Sequence, residues 1–194
     1  MQAARGASLR TSDESSPPAP APSRRRYVLI FAVIAAVAYA VDTATKAMAV
    51  HWLSDRGPVE VVGQWFMLTL AFNKGASFSM GTSHTLVFSL IAIAATVVVL
   101  WVARRLGSTG WAVGLGFLLA GVVGNLTDRV FRGEEVLRGH VVDFLAFPNF
   151  PVFNVADVCI NIAAAVIIIQ AVRGVRVDGT GLHEKEPSGD PREP

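Results

Sequence analysis

The sequence TLVFSLIAIAATVVVLWVA, residues 85–103, runs for 19 residues without a charged side chain. At about 1.5 Å of rise per helical residue, it is long enough to cross about 30 Å of hydrocarbon. Other apolar blocks lie on both sides of it, at residues 27–53, 106–127 and 152–172. We therefore predict an all-α membrane protein with four transmembrane helices.

The composition agrees with a membrane protein. Of 194 residues, 52% are hydrophobic and 16% are charged, whereas soluble domains carry about a quarter charged residues. This balance excludes an ordinary cytosolic enzyme and a disordered protein. The net charge is +2, but the arginines lie at the ends of apolar blocks, which indicates membrane orientation and no nucleic-acid partner.

No pattern in the sequence indicates a metal or cofactor. The chain has a single cysteine, Cys159, inside an apolar block, and no cluster of Cys or His with the spacing of metal ligands. Neither a Walker A pattern nor a GxGxxG pattern occurs. We expect an enzyme without metal or cofactor, and without a disulfide.

Charge and composition divide the chain into three parts. Residues 1–26 and 174–194 are predicted to be disordered cytoplasmic tails, because they are rich in Pro, Ser, Gly and charge. Residues 27–173 are predicted to form the four-helix transmembrane domain. The first tail contains 5 Lys and Arg residues, the turn at 104–105 contains 2, and the chain after residue 172 contains 4. The two other loops, with their helix ends, contain 6 together.

This distribution of positive charge predicts that both termini are cytoplasmic. The stretch Ala38-Tyr39-Ala40 imitates a signal-peptide cleavage site. Cleavage there would leave three membrane spans, and the remaining loops would then contradict the positive-inside rule. We therefore disfavour a cleaved signal peptide. The outer loop sequence VEVVGQWFMLTLAFN, residues 59–73, is rich in β-branched and aromatic residues, which predicts one or two strands at the outer membrane surface.

Polar residues of different helices are predicted to meet near the outer membrane surface. Asp42 and Asp157 each lie 16 residues from the arginine that marks the cytoplasmic end of their helix, a rise of about 24 Å. Ionisable groups at such depth usually face the bundle interior and mark function. Residues near the same surface are Asn73, Asn125, Asp128, Arg129, Asp143 and Asn154. Alternatively the acids lie among headgroups, with Asp42 and Lys46 a local ion pair.

The three acids Asp128, Asp143 and Asp157 differ in their sequence surroundings. Asp128 precedes Arg129, which favours an ion-paired structural role. Asp143 lies between apolar residues, which favour its neutral form. Asp157 lies at the start of the fourth helix, whose dipole favours an anion. We predict that Asp143 and Asp157 form a pair that activates water for amide hydrolysis.

Other chemistries have weaker support in the sequence. A Ser-His-Asp site needs a well-placed histidine, and none of the four histidines lies near a serine-containing motif of that kind. Two alternatives remain open: a small transporter or channel that uses the acids as a proton relay, and a structural assembly factor.

Five ordered motifs resemble those of the lipoprotein signal peptidases, the type II signal peptidases of bacterial membranes. They are DTATK at 42–46, FNKGASF at 72–78, GNLTDR at 124–129, VVDF at 141–144 and FNVAD at 153–157. The resemblance implies an aspartyl endopeptidase of the inner membrane, monomeric, with its active site at the outer face. Its substrate would be a lipidated prolipoprotein embedded among membrane lipids, cut on the N-terminal side of the diacylglyceryl-modified cysteine.

The resemblance also implies a role for each motif residue. Asp143 and Asp157 would be catalytic, and Asn73 and Arg129 would contact the substrate. Asn125 and Asn154 would support the site, and Asp42, Lys46 and Asp128 would stabilise it. One departure from the family pattern is the longer segment at 133–139. We expect the loop at 131–140 to close over the pair of acids, and the strands at 59–72 to cradle the substrate.

Overall fold

The computed structural model describes residues 24–74 and 85–181. Residues 1–23 of the predicted first tail, residues 182–194 of the predicted second tail and the motif residues 75–78 lie outside the described residues. The described chain forms four helices and a small sheet. The helices are α1 (Arg24–Leu53), α2 (Thr85–Ala103), α3 (Thr109–Phe131) and α4 (Val155–Val172), and the strands are β1 (Val59–Val62), β2 (Phe66–Asn73) and β3 (Val141–Ala146).

All four helices are long and apolar enough to cross a membrane, which confirms the predicted fold class. Helix α3 packs against each of the other three helices. Small residues allow this close packing: a Cβ added to Gly121 would lie 2.4 Å from the carbonyl oxygen of Ala156 in α4. Large apolar side chains on the outer faces remain exposed, for example Val97 at 61% and Ile168 at 61%, as expected where lipid covers a helix.

The three strands form one antiparallel sheet in the order β1-β2-β3. The predicted strand region at 59–73 is confirmed as β1 and β2. Strand β3 was not predicted, because its sequence VVDFLA is a short apolar run inside a charged connection. It pairs with β2 so that Ala71 faces Asp143 and Asn73 faces Val141. The sheet therefore brings Asn73 next to Asp143.

Some boundaries differ from those predicted. Helix α1 begins at Arg24 and not at residue 27, and α3 continues to Phe131, beyond residue 127. Residues 174–181, assigned to the second tail by composition, form a hydrogen-bonded turn. Trp111 Nε1 donates to the Val175 carbonyl (2.8 Å) and the Gly107 amide donates to the Val177 carbonyl (2.9 Å). These partners are distant in sequence, so local composition did not reveal the turn.

Connectivity gives the bundle two distinct ends. The end formed by Leu53, Thr85, Phe131 and Val155 carries the sheet and is called the sheet end. The opposite end, formed by Arg24, Ala103, Thr109 and Val172, is called the arginine end, because arginines flank its helix termini.

Candidate active site

Asp143 lies on β3 and is nearly inaccessible, with 2% of its surface exposed. Its Oδ1 accepts a hydrogen bond from Asn154 Nδ2 (2.6 Å), and its Oδ2 accepts one from Asn73 Nδ2 (3.1 Å). Burial raises the pKa of Asp143 to about 6, although the two amide hydrogen bonds act in the opposite direction. Below that pH the side chain carries a proton, in agreement with the neutral form expected from its apolar neighbours.

Asp157 lies in the first turn of α4 and is half-buried. It forms a capping box with Asn154: the Asp157 amide donates to Asn154 Oδ1 (3.0 Å), and the Asn154 amide donates to Asp157 Oδ2 (3.2 Å). Asn125 Nδ2 donates to Asp157 Oδ1 (2.9 Å). The Asp157 carboxyl group therefore lies at the N-terminus of α4, accepts two hydrogen bonds from the described residues and is partly exposed to solvent.

Asn154 connects the two carboxyl groups. Its side chain is fully buried, donates to Asp143 and accepts from the backbone of Asp157. Both acids are therefore hydrogen-bonded to the same residue, Asp143 deeply buried on β3 and Asp157 half-buried at the start of α4. Different surroundings of this kind are typical of paired carboxyl groups that serve as acid and base.

A buried group of charges lies next to the acids. Lys46 Nζ is 2.8 Å from Asp42 Oδ2, 3.0 Å from Asp128 Oδ2 and 3.0 Å from Asn125 Oδ1. The side chains of Lys46 and Asp42 have 0% exposure, and Asp42 Oδ1 accepts from the Ala156 amide in α4 (2.8 Å). Lys46 and Asp42 are thus more than a local pair within α1, because their contacts join α1 to α3 and α4.

Asp128 is ion-paired, as the sequence suggested, but its partners differ from the expected neighbour Arg129. They are Lys46 and Arg132, whose Nε lies 2.6 Å from Asp128 Oδ1. The amide of Val142 in β3 also donates to Asp128 (3.2 Å). Arg132 was missed in the sequence. Its position four residues after Asp128 on one helix was the available signal.

Arg129 is turned towards the pair of acids. Its guanidinium lies 6.0 Å from the centre of the Phe88 ring in α2, within electrostatic range of Asp143 and Asp157. Its Nε is buried and donates to none of the described residues. Arg129 therefore holds one buried donor that has no partner within residues 24–74 and 85–181.

The segment at 133–139 is fastened to the end of α3. The Gly139 amide donates to the Arg129 carbonyl (2.9 Å), the His140 amide donates to the Arg132 carbonyl (3.2 Å), and Ser89 Oγ in α2 donates to the Leu137 carbonyl (2.6 Å). In this arrangement the extra residues link α2 to α3.

The chain is similar in sequence to known proteins. Residues 34–173 match the family model described as signal peptidase (SPase) II. The chain is 45% identical over 165 residues to the lipoprotein signal peptidase of Mycobacterium tuberculosis strain H37Rv, covering 85% of this chain and 81% of that protein. It is 43% identical over 157 residues to that of Streptomyces coelicolor, covering 81% and 76%.

The fold is also found among solved structures. A bacterial membrane enzyme determined by the in meso method at 1.9 Å matches with a TM-score of 0.65 and 26% identity, covering 73% of this chain and 91% of the other. The matched residues 34–173 include α2, α3, α4, the three strands and α1 from residue 34 onward. We conclude that the chain belongs to the signal peptidase II family.

Proposed function

We propose that this protein is an aspartyl endopeptidase that removes signal peptides from prolipoproteins. It would cut on the N-terminal side of the diacylglyceryl-modified cysteine. The single observation that carries the proposal is the bridge through Asn154, which donates hydrogen bonds to the carboxyl groups of both Asp143 and Asp157 at the sheet end of a membrane bundle. The related proteins named as lipoprotein signal peptidases support the same substrate class.

The reaction assigns one role to each acid. Asp157, as the anion, takes a proton from a water molecule as the water oxygen adds to the scissile carbonyl carbon. Asp143, as the neutral acid, gives its proton to the departing amine when the peptide bond breaks. Asp143 then lacks a proton and Asp157 holds one, so a proton exchange restores the starting state. Because the two groups are coupled, apparent pKa values belong to the pair.

Other residues are proposed to hold the substrate. Arg129 offers its buried Nε, which donates to none of the described residues, to the peptide backbone near the cut. Asn73 lies beside Asp143 at the end of β2. The sheet provides apolar surface next to the site, with Val61 52% and Val62 62% exposed. A lipidated cysteine leaves its acyl chains in the bilayer and its peptide at the surface, so this surface would cradle the peptide.

We propose that the sheet end faces outward from the inner membrane and that both termini are cytoplasmic. The arginines at the opposite end favour this orientation under the positive-inside rule. We also propose that the protein acts as a monomer with lipid around its exposed apolar faces.

Incubation of the purified protein with a lipidated prolipoprotein, read as a size shift on a gel, tests the proposal. Asp143→Asn and Asp157→Asn should each abolish cleavage while the protein still accumulates in the membrane. Asp55→Asn is the matched control, because Asp55 is an exposed aspartate in the loop that follows α1. Substantial cleavage by either of the first two variants would defeat the assignment. Proton flux in liposomes without cleavage would favour a transporter instead.

A further inference from the structure

A cavity lies at the arginine end of the bundle, far along the helices from the acids. Its volume is about 480 Å³. Trp101 and Val102 of α2, Trp111 of α3 and Ala171 of α4 form apolar walls, and Arg105 and Arg176 bring positive charge to it. The proposed peptidase reaction uses none of these residues.

The turn at 174–181 forms one wall of this cavity and is held firmly in place. Trp111 Nε1 and the Gly107 amide donate to its carbonyls. Gly107 must lack a side chain, because an added Cβ would lie 2.0 Å from the Asp178 carbonyl oxygen. Hydrogen bonds and close packing therefore fix this wall of the cavity in the fold.

Positive charge is concentrated around the cavity. The Arg105 guanidinium lies 5.0 Å from the centre of the Trp101 ring, which fixes it at the rim. Arg24 donates to the Arg104 carbonyl, so the start of α1 brings further arginine to the same end. Among the described residues that line the cavity, the one acid is Asp178. It accepts hydrogen bonds from the amide and hydroxyl of Thr180, so its carboxylate is engaged within its own turn.

We propose that this cavity binds the headgroup of an anionic phospholipid. The phosphate would lie between Arg105 and Arg176, and an acyl chain would run along the apolar walls towards the bilayer centre. Arginine suits a phosphate because its planar fork donates two hydrogen bonds at once. Basic pockets between helices at the cytoplasmic side are known to take anionic headgroups, and the proposed orientation places the cavity in that leaflet.

Quenching of tryptophan fluorescence by brominated lipids tests this proposal in the full-length protein. A background with Trp52→Phe and Trp65→Phe leaves Trp101 and Trp111, the two tryptophans of the cavity, as reporters. In mixed vesicles, brominated phosphatidylglycerol should quench more strongly than brominated phosphatidylcholine. Each arginine near an anionic lipid contributes about fivefold to binding, so Arg176→Gln should lower the preference about fivefold. Arg105→Gln combined with Arg176→Gln should abolish it.

The matched control is Arg25→Gln combined with Arg173→Gln. It removes the same charge from the same end but leaves the cavity lining unchanged, and the preference should persist. Equal quenching by the two lipids, or equal loss in the control, would overturn the proposal. Displacement of the lipid by inorganic phosphate would show a site for free phosphate and would also overturn it. Cleavage of prolipoprotein is measured separately, so failure of either proposal can be distinguished.

Discussion

At the scale of single residues, the orientation of Asn125 fixes the donors around Asp157. The side-chain oxygen of Asn125 accepts from Lys46 (3.0 Å) and from Asn154 (3.2 Å). A reversed amide would place its nitrogen against an ammonium group, so the nitrogen must face Asp157. Within the described part of the chain, Asp143 and Asp157 each accept hydrogen bonds from two donors. Donor number therefore does not distinguish them, whereas burial does, because it raises the pKa of Asp143.

The burial of Asp143 predicts how activity depends on pH. Because its pKa is raised to about 6, the proton needed by the departing amine is present below that pH and is lost as the pH rises through it. We expect kcat/KM to fall along an alkaline limb near pH 6. Asn73→Ala removes a donor that favours the charged form, so this limb should move to higher pH.

Cleavage rates measured across the acid and neutral range would locate this alkaline limb in the unchanged protein and in Asn73→Ala. Asp55→Asn again serves as the control, because Asp55 is exposed and has no role in the proposed mechanism. A limb that stays in place or moves to lower pH in Asn73→Ala would contradict the role given to Asp143.

The buried position of Lys46 predicts a large loss of stability on its removal. Lys46→Met leaves Asp42 and Asp128 buried without their shared cation. Breaking such a buried pair costs about 3–5 kcal/mol, measured as the free energy of unfolding in detergent. Arg138→Met is the control, since Arg138 and its partner Glu135 are 51% and 69% exposed and such pairs contribute about 1 kcal/mol or less. Similar losses in the two variants would refute this reading of Lys46.

At the scale of helices and strands, the sequence predicts elements whose signal is local. The helices follow from apolar length, and β1 and β2 follow from β-branched and aromatic residues at 59–73. Strand β3 was missed because VVDFLA is apolar on both faces and too short to distinguish from a piece of helix or loop. The segment is a strand because it pairs with β2. The two strands are far apart in sequence: Asn73 on β2 and Asp143 on β3, for example, are separated by 70 residues.

In the candidate site, too, some features follow from local sequence and others depend on contacts between distant segments. The depth of Asp42, Asn125 and Asp157 along their helices follows from counting residues, so their meeting could be predicted. The contacts of Lys46 with Asp128 and Asn125 in α3, and the turn at 174–181, could not be predicted, because they depend on how the helices are rotated and packed. Helix rotation leaves only a weak trace in a span that is apolar on nearly every side.

The packing of α1 against α3 predicts a sensitive glycine. A Cβ added to Gly124 would lie 2.4 Å from Asp42 Oδ2, the atom that Lys46 contacts. Gly124→Ala should therefore push α1 away and lower the free energy of unfolding by about 2 kcal/mol. Thermal unfolding checks this, with Gly57→Ala as the control because no atom lies within 4 Å of an added Cβ there. Equal melting of both variants would count against the packing described.

At the scale of the whole molecule, the two ends of the bundle differ in chemistry. The sheet end holds the acids, the asparagines and the buried charges, and the arginine end holds the cavity with Arg105 and Arg176. Between them, the outer helix faces are apolar and exposed. A molecule of this form has one stable orientation in a membrane, because turning it over would carry several arginines across the hydrocarbon.

This asymmetry predicts which residues a membrane-impermeant thiol reagent reaches in intact spheroplasts. In a Cys159→Ser background, which removes the chain's one native thiol, Glu60→Cys on β1 should be labelled and Gly181→Cys should not. Both sites suit a new side chain, since Glu60 is exposed and nothing lies within 4 Å of a Cβ at Gly181. Opening the cells should make both residues reactive, which controls for their accessibility. Labelling of Gly181→Cys alone in closed cells would place the acids on the cytoplasmic side, where a lipidated substrate awaiting cleavage at the outer face could not reach them.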